Sequence, residues 1–240
     1  MRGQKKYRRL IMGNETFSRV FPDIIQDDDR FDEARKEAIF KGIGGYRNLE
    51  HLYDSAIKTL TMRFEILNQE FKVKYERNPI HHIEGRIKSA RSIINKLKSR
   101  DYEVSLESAQ RNLNDIGGVR VVCCYIDDVY SVAEMFLNQK DITLLERQDY
   151  IKNPNYNGYR SLHLDVSVPV YLSDHTEYVT CEVQLRTVAM DFWASLEHDL
   201  RYKTNKQIPE EMGREMREAA DRIAEIDEEM QQLYRKMEKL

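Results

Sequence analysis

A helical pattern of apolar residues begins at Tyr46 and ends at Asn78-Pro79. Between these points apolar side chains recur every three or four positions, which is the spacing of one helix face. They are Leu49, Tyr53, Ala56, Leu60, Phe64, Leu67 and Phe71. Residues 1–45 have no firm period and contain the helix-breaking sequence Gly42-Ile-Gly-Gly45. We therefore expect an N-terminal extension up to residue 45.

A second helical pattern predicts a basic helix from about Ile80 to Ser99. Its apolar stripe consists of Ile83, Ile87, Ala90, Ile94 and Leu97. Six basic residues and one acidic residue lie between positions 81 and 100. Three of the polar residues are spaced by four and would share one helix face, namely Lys88, Ser92 and Lys96. A solvated face is the ordinary interpretation, and a phosphate-binding face is the alternative.

The middle of the chain predicts a series of strands and helices. Strands are expected at 119–125, 142–146, 162–170 and 179–186, and helices at 127–139 and 188–202. The last two strands alternate apolar and polar residues, as half-buried strands do. Asn157-Gly158, a strong turn signal, precedes the strand at 162–170.

The last predicted helix begins at Pro209 and carries a heptad pattern, with apolar residues at alternating steps of four and three. We call this set the seam. It consists of Met212, Met216, Ala219, Ile223, Ile226, Met230, Leu233, Met237 and Leu240. The helix either lies on its own domain or forms a contact between subunits, and the pattern does not choose between them. Residues 206–240 are thus expected to be a C-terminal heptad helix.

Charge and cysteine content narrow the class of protein. The 240 residues include 38 basic and 41 acidic ones, whereas a nucleic-acid-binding domain usually has a basic excess. No apolar run approaches the ~20 residues of a membrane helix, and no secretory signal is visible. Cys123, Cys124 and Cys181 lie in strand-like runs and are expected to be reduced core residues in the cytoplasm. A zinc site is the alternative, but no CxxC or His-x-His spacing supports it.

The strand at 179–186 carries the strongest candidate chemistry. Alternation places three polar residues of this strand on one face, and three of the preceding strand likewise. They are Glu182, Gln184 and Arg186, and Ser161, His163 and Asp165. If the two strands pair, the sheet has one apolar and one polar face. The polar face is either merely solvated or, as the mixture of side chains favours, a phosphate and nucleobase site.

Asp115 is the second candidate carboxylate. It precedes Gly117 and Gly118, which permit tight backbone turns, and a buried strand follows. Turn formation is one interpretation of Asp115. The other pairs it with Glu182, because Mg²⁺ binds one or two carboxylates together with substrate phosphates.

Cationic and aromatic residues complete the candidate set. Guanidinium groups bind phosphate as a fork and also stack on bases. The candidates for holding a triphosphate are Arg86, Lys88, Arg91, Lys96 and Arg120. Tyr159, after the Asn157-Gly158 turn, is either a core tyrosine or one that stacks on a nucleobase. No GxxxxGK[ST] loop is present, which excludes a P-loop kinase.

Three ordered motifs resemble the synthetase motifs of RelA/SpoT-type enzymes. They are Asp115-Ile-Gly-Gly-Val-Arg120, the segment from Asp149-Tyr150 to Asn157-Gly-Tyr-Arg-Ser-Leu-His163, and Glu182-Val-Gln-Leu-Arg-Thr187. The resemblance covers about residues 46–205. The sequence leaves no room for the hydrolase and regulatory domains of the long enzymes. We therefore expect a small alarmone synthetase.

The resemblance implies a fold, a reaction and an assembly. The fold is α+β, with a mixed β-sheet flanked by helices, related to nucleotidyltransferases and carrying helical N- and C-terminal extensions. The reaction moves pyrophosphate from ATP to the 3′-hydroxyl of GTP or GDP, yielding (p)ppGpp and AMP in stringent-response signalling. The family also implies a homotetramer, which would give the seam a role.

The resemblance assigns roles to individual residues. Asp115 and Glu182 would hold Mg²⁺, and Glu182 would activate the 3′-hydroxyl. The ATP-binding set would be Arg86 and Arg120, which sandwich the adenine, with Lys88, Ser92 and Lys96 near the phosphates. The acceptor-binding set would be Tyr159, stacked on guanine, with His163, Gln184 and Asp191 nearby.

Two positions depart from the family pattern. The family often has lysine where this chain has Gln148 and Asn155, so the preference between GTP and GDP is left open. Two other hypotheses also stay open. One is a non-catalytic nucleotide- or RNA-binding module, motivated by the basic helix. The other is a different nucleotidyltransferase that releases pyrophosphate.

Overall fold

The computed structural model describes residues 33–204 and 209–239, and a five-stranded sheet forms its centre. The strands are β1 (Ile80–Ile87), β2 (Gly117–Cys123), β3 (Thr143–Asp149), β4 (Leu162–Tyr171) and β5 (Thr176–Thr187). Their order across the sheet is β1-β2-β5-β4-β3. β2 and β5 are parallel, and the other neighbours are antiparallel. The predicted α+β class with a mixed sheet is confirmed.

Helices flank this sheet. They are α1 (Glu33–Tyr75), α2 (Ala90–Ser99), α3 (Leu106–Asn112), α4 (Ile126–Leu137), α5 (Val188–Thr204) and α6 (Glu210–Met237). The helices predicted at 127–139, at 188–202 and from Pro209 are confirmed as α4, α5 and α6. Across the described ranges, no helix combines the length and apolarity that a membrane-spanning segment needs.

The prediction of one helix over residues 80–99 is wrong in its first half. Residues 80–87 form β1, which pairs with β2, and only residues 90–99 form α2. The spacing of Ile83 and Ile87 fits a helix, but β1 is an edge strand whose register shifts between Ile80 and His82. Such an irregularity interrupts the alternation by which a strand is recognised. Lys88 therefore lies before α2, and not on its face with Ser92 and Lys96.

The glycine-rich sequence at 42–45 does not break α1, which continues through it. A Cβ on Gly45 would lie 2.6 Å from Leu106 Cδ1, so Gly45 packs against the side chain at the start of α3. Each helical glycine costs roughly 1 kcal/mol, and tertiary packing such as that of Leu49 and Tyr53 in the same helix overrides a cost of this size. The expected boundary at residue 45 thus falls within a helix. The division of the chain at 45 and 205 stays a prediction, and residues 1–32 lie outside the described part.

One face of the sheet is covered by α1 and α4. Apolar residues of both helices pack on strand residues such as Val183 and Leu164 in a single buried cluster, and the rings of Phe64 and Phe136 stack 4.6 Å apart. Burying one such side chain contributes about 1.5–3 kcal/mol. The thiols of Cys123 and Cys181 are free and buried here, as expected, while that of Cys124 is half-buried. The opposite face of the sheet is left to polar residues.

Helix α6 lies on its own domain, and Ile223 is the seam residue that packs there, against Trp193 and Ala194. The residues that it buries are Ala220, Asp227 and Gln231, and Gln231 Oε1 accepts a 2.8 Å hydrogen bond from the Asp127 backbone N–H. Five seam residues are instead 46–68% exposed, namely Met212, Ile226, Met230, Leu233 and Met237. The inner face of the helix therefore combines polar residues with Ala220 and Ile223, which pack with Trp193 and Ala194, and its outer face is apolar. Leu240 lies outside the described residues.

Candidate active site

The polar face of the sheet is built by the pairing of β5 with β4 and β2. Glu182 lies opposite Asp165 of β4, and Gln184 lies opposite His163. On the other side of β5, Arg120 of β2 lies opposite Gln184. The prediction that these strands pair and share one polar face is confirmed.

A cleft of about 110 Å³ opens on this face. Its lining contains both predicted carboxylates and three of the predicted cations. The lining residues are Glu84, Arg86, Lys88, Asp115, Gly118, Val119, Arg120, Glu182 and Gln184. A Cβ on Gly118 would lie 3.1 Å from the Glu182 carbonyl oxygen, so glycine keeps this part of the cleft open beside Glu182.

Asp115 lies in the turn between α3 and β2 and is held by two lysines. Its Oδ2 accepts hydrogen bonds from Lys88 Nζ and, at 2.6 Å, from Lys96 Nζ. Burial raises the pKa of Asp115, but the two ammonium groups outweigh it, so the pKa is lowered overall. The other oxygen, Oδ1, is buried and has no hydrogen-bond partner among the described residues. An unsatisfied buried carboxylate oxygen is a group that a bound cation would satisfy.

Lys88 contributes charge inside the cleft, and Lys96 lies next to it at Asp115. Burial lowers the pKa of Lys88 by more than its hydrogen bond to Asp115 raises it, and the charges of Lys96 and Arg86 lower it further. Ser92 is exposed in the first turn of α2, where its backbone N–H donates to the capping Ser89 Oγ at 3.3 Å. The structure therefore brings Lys88 and Lys96 together at Asp115, whereas neither Lys96 nor Ser92 is part of the cleft lining.

Glu182 is largely buried and is oriented by two neighbours. Its Oε1 lies 3.3 Å from His163 Nδ1, and its Oε2 accepts a 2.6 Å hydrogen bond from Gln184 Nε2. Burial raises the pKa of Glu182, but His163 and Gln184 outweigh it, so the pKa is lowered and the carboxylate is ionised at neutral pH. The charge of Asp115 acts in the opposite direction, so the two carboxylates are close enough to interact.

Tyr159, His163 and Arg186 form a connected group beside Glu182. Tyr159 Oη lies 2.8 Å from His163 Nε2. Arg186 Nη2 donates to Tyr159 Oη at 2.6 Å and to Gln184 Oε1 at 2.8 Å. The guanidinium carbon of Arg186 is 5.1 Å from the centre of the Tyr159 ring. The predicted acceptor residues Tyr159, His163 and Gln184 are therefore adjacent in the structure.

Arg186 is the residue that the sequence interpretation placed on the polar face but left out of the site. Its side chain is 6% exposed and lies 3.2 Å from Asp191 at the start of α5. Asp191 is also 3.6 Å from Arg120, so it connects Arg186 of β5 with Arg120 of β2. The alternation that selected Glu182 and Gln184 includes Arg186, and a buried guanidinium needs several acceptors. The alternation of polar residues along β5 was therefore the sequence signal that could have identified Arg186 as a site residue.

The two positions that depart from the family pattern both lie near the group formed by Tyr159, His163 and Arg186. Gln148 is opposite His163 in the β3–β4 register, and its Oε1 accepts a 2.6 Å hydrogen bond from Tyr150 Oη. The backbone N–H of Asn155 donates to the Tyr159 carbonyl at 3.2 Å. Neutral amides therefore stand beside the residues expected to bind the acceptor.

Comparison of this sequence with known proteins identifies the same family as the three motifs do. Residues 85–207 match the family model described as a region found in RelA/SpoT proteins. The chain is 40% identical to the GTP pyrophosphokinase YwaC of Bacillus subtilis over 77% of this chain and 88% of that protein. It is 33% identical to the GTP pyrophosphokinase YjbM of the same organism over 75% of this chain and 84% of that protein.

Solved structures agree with the sequence comparison. Small alarmone synthetase 1 of Bacillus subtilis, bound to its product pppGpp, has a TM-score of 0.74 and 31% identity, covering 80% of this chain and 97% of that one. Small alarmone synthetase 2 of the same organism has a TM-score of 0.71 and 39% identity, covering 77% and 96%. With the three motifs gathered on one sheet face, these similarities show that the chain belongs to the RelA/SpoT family, among its small alarmone synthetases.

Proposed function

We propose that this synthetase transfers pyrophosphate from ATP to the 3′-hydroxyl of GTP or GDP, releasing AMP and forming (p)ppGpp. The observation that carries the proposal is the position of Glu182. It lines the cation-rich cleft that contains Asp115 and is connected through His163 to Tyr159. One carboxylate thus stands between a site suited to a triphosphate and a site suited to a nucleobase.

ATP is proposed to bind at the end of the cleft formed by β1, β2 and α2. Arg86 and Arg120 lie on the neighbouring strands β1 and β2 and both line the cleft, which supports their assignment to the adenine. Lys88 and Lys96 are proposed to contact the phosphates, with Ser92 at the start of α2 nearby. Both lysines now neutralise Asp115, so the cationic charge is in place before the nucleotide arrives. Preformed charge of this kind needs no reorganisation during the reaction.

Mg²⁺ is the proposed cofactor, with Asp115 and Glu182 as its protein ligands. Within residues 33–204 and 209–239, no three His, Cys, Asp or Glu side chains are grouped as a metal site. Mg²⁺ does not need such a group, because it takes one or two carboxylates together with substrate phosphates. The unpaired Oδ1 of Asp115 fits this role. When bound, the metal neutralises charge on the transferring phosphates.

The acceptor is proposed to lie against Tyr159, whose ring would stack on guanine, with His163, Gln184 and Asp191 around it. Glu182 would accept the hydrogen bond, and then the proton, of the attacking 3′-hydroxyl. His163 and Gln184 fix the orientation of the Glu182 carboxylate before the substrate binds. Positioning and charge neutralisation are the main requirements of phosphoryl-type transfer, and these residues supply both.

A homotetramer in the cytoplasm is also part of the proposal. The exposed seam of α6 supports an assembly, because a helix with apolar residues at heptad spacing ordinarily buries them against another helix. Free thiols in the core, at Cys123 and Cys181, support a reducing compartment.

Product analysis tests the proposed reaction. The purified protein is incubated with Mg²⁺, ATP labelled on its γ-phosphate, and GTP or GDP, and the products are separated. The proposal predicts AMP together with label in a guanosine pentaphosphate or tetraphosphate. A nucleotidyltransferase would instead release labelled pyrophosphate, and a non-catalytic binding module would leave ATP intact.

A further inference from the structure

The inner face of α6 contacts the loop that carries Tyr159. We define the acceptor loop as residues 155–160. Arg217 Nη1 donates a 2.9 Å hydrogen bond to the Tyr156 carbonyl. Arg160 Nη2 donates to Asp221 Oδ1 at 2.9 Å. Hydrogen bonds thus connect two loop residues, one on each side of Tyr159, to the same helix.

Backbone packing strengthens this contact at Gly158. This residue has a φ of +88°, and a Cβ at its position would lie 2.5 Å from Ala220 Cβ. Only glycine readily adopts this conformation, and only a residue without a side chain allows the loop to approach α6 so closely. Arg160 Nη1 also donates to the Gly158 carbonyl at 3.1 Å. The loop therefore has a conformation that depends on the helix surface beneath it.

The same face of α6 also holds the end of β5. Thr187 Oγ1 donates a 2.6 Å hydrogen bond to Asp227 Oδ2, and Thr187 directly follows Arg186. The α6 residues that make these contacts lie three, four and ten positions after the first of them, which keeps them on one side of the helix. They are Arg217, Ala220, Asp221 and Asp227. Arg186 donates a hydrogen bond to Tyr159 Oη. Helix α6 therefore supports both partners of that hydrogen bond, Tyr159 through the acceptor loop and Arg186 through Thr187.

We propose that the inner face of α6 is a positioning element for the guanine nucleotide acceptor, acting through the acceptor loop without touching the nucleotide. This inference rests on the proposed assignment of Tyr159 to the acceptor. A loop that is held in its binding conformation avoids the ordering cost that a free loop would meet on binding. Loss of the α6 contacts should therefore weaken acceptor binding while leaving the ATP side unaffected.

Asp221 is the most discriminating position to change, because a carboxylate does not itself attract nucleotide phosphates. The Asp221 side chain is 50% exposed, so the variant is not expected to unfold the protein. We expect Asp221→Ala to raise the KM for GTP and GDP by roughly threefold to tenfold, the range of a partly exposed ion pair and its ordered loop. The KM for ATP and the kcat at saturating acceptor should change by less than about twofold, because the contacts of α6 act on acceptor binding alone.

Two variants serve as controls. Asp221→Glu keeps the charge and should recover most of the acceptor affinity. Arg235→Ala removes another ion pair of α6, that with Asp127, at a distance of about 21 Å along the helix from residue 221. It should leave the KM for the acceptor unchanged. Thermal unfolding of all three variants checks that the fold persists.

Tyr159→Leu separates failure of this inference from failure of the assignment beneath it. If Tyr159→Leu raises the acceptor KM and Asp221→Ala does not, the positioning role of α6 is wrong and the assignment of Tyr159 stands. If Tyr159→Leu leaves the acceptor KM unchanged, the assignment itself is wrong. If Asp221→Ala raises the KM values for ATP and acceptor equally, or if Arg235→Ala has the same effect, the contact is merely structural and the inference is overturned.

Discussion

His163 joins Glu182 to Tyr159 through the two nitrogens of one imidazole. Its Nδ1 lies 3.3 Å from Glu182 Oε1, and its Nε2 lies 2.8 Å from Tyr159 Oη. The proposed base and the proposed guanine-binding ring are therefore held by the same side chain. This relationship predicts that the acceptor site and the reacting carboxylate respond together to changes at His163.

Replacing His163 by leucine should impair both binding and turnover. Glu182 loses one of its two orienting partners, and Tyr159 loses a hydrogen-bond partner. We expect kcat to fall by about 10²-fold, the scale of a general acid–base contribution, and the acceptor KM to rise with it. Steady-state kinetics with each nucleotide varied in turn measures both. An unchanged kcat would contradict the positioning of Glu182 by His163.

Arg186→Lys should be costly although it conserves charge. A lysine cannot reproduce the planar fork that now contacts Tyr159, Gln184 and Asp191. Leaving such buried acceptors unsatisfied costs about 1–3 kcal/mol of unfolding free energy. Urea denaturation measures that loss, and Arg235→Lys, at a half-exposed ion pair of α6, is the matched control. Equal stability of the two variants would show that Arg186 does not organise the site.

Acid should destabilise the protein partly through Asp115 and Glu182. Both carboxyls have lowered pKa values in the folded state. A lowered folded pKa contributes stability that is present above the unfolded pKa, about 4, and is lost as pH falls through the folded pKa. Asp115→Asn should therefore have a free energy of unfolding that declines less steeply than that of wild type below about pH 5. Urea denaturation at a series of pH values measures this, and parallel declines would contradict the prediction.

Charges on the α6 seam should dissociate the proposed tetramer. Met230 and Leu233 are exposed on the outer face of α6, away from its contacts with the acceptor loop. Met230→Glu combined with Leu233→Glu should lower the molar mass measured by light scattering without lowering the thermal stability of the subunit. Glu229→Ala, an exposed substitution on the same helix, is the control. An unchanged mass would remove the seam from any subunit contact.

Restoring the cations at the departing positions should alter acceptor preference. Gln148→Lys places an ammonium beside His163, where the acceptor is proposed to bind. We expect the KM for the acceptor to fall by roughly threefold to tenfold, as for one added surface ion pair. The effect should be larger for GTP than for GDP, because GTP carries more negative charge. Equal KM values for the variant and wild type would mean that the acceptor phosphates lie elsewhere.

The faces of β4 and β5 follow from the sequence because each strand alternates strictly. Leu164 and Val183 point to the core, so His163, Glu182 and Gln184 must share the other face. The residues of the cleft that come from β2 were found through the motif at Asp115. These local patterns agree with the final fold, and for that reason they were sufficient to predict the polar face of the sheet.

Three other features depend on tertiary contacts and could not be found in the same way. β1 is an irregular edge strand, and the spacing of Ile83 and Ile87 imitates a helix. α1 continues through its glycines because residues such as Leu49 and Tyr53 pack in the core. The inner face of α6 buries the polar residues Asp227 and Gln231, so most of the apolar seam lies on the face that does not contact the domain.

Glu182→Gln is the most direct test of the central claim, because it removes the charge of the proposed base and metal ligand and preserves its shape. Glu177→Gln, the same change on the same strand at an exposed position, is the control. Product formation from ATP and GTP should fall by about 10³-fold or more in Glu182→Gln, as for loss of an essential group, while the fold and the activity of Glu177→Gln persist. Full turnover by a folded Glu182→Gln variant would contradict the account.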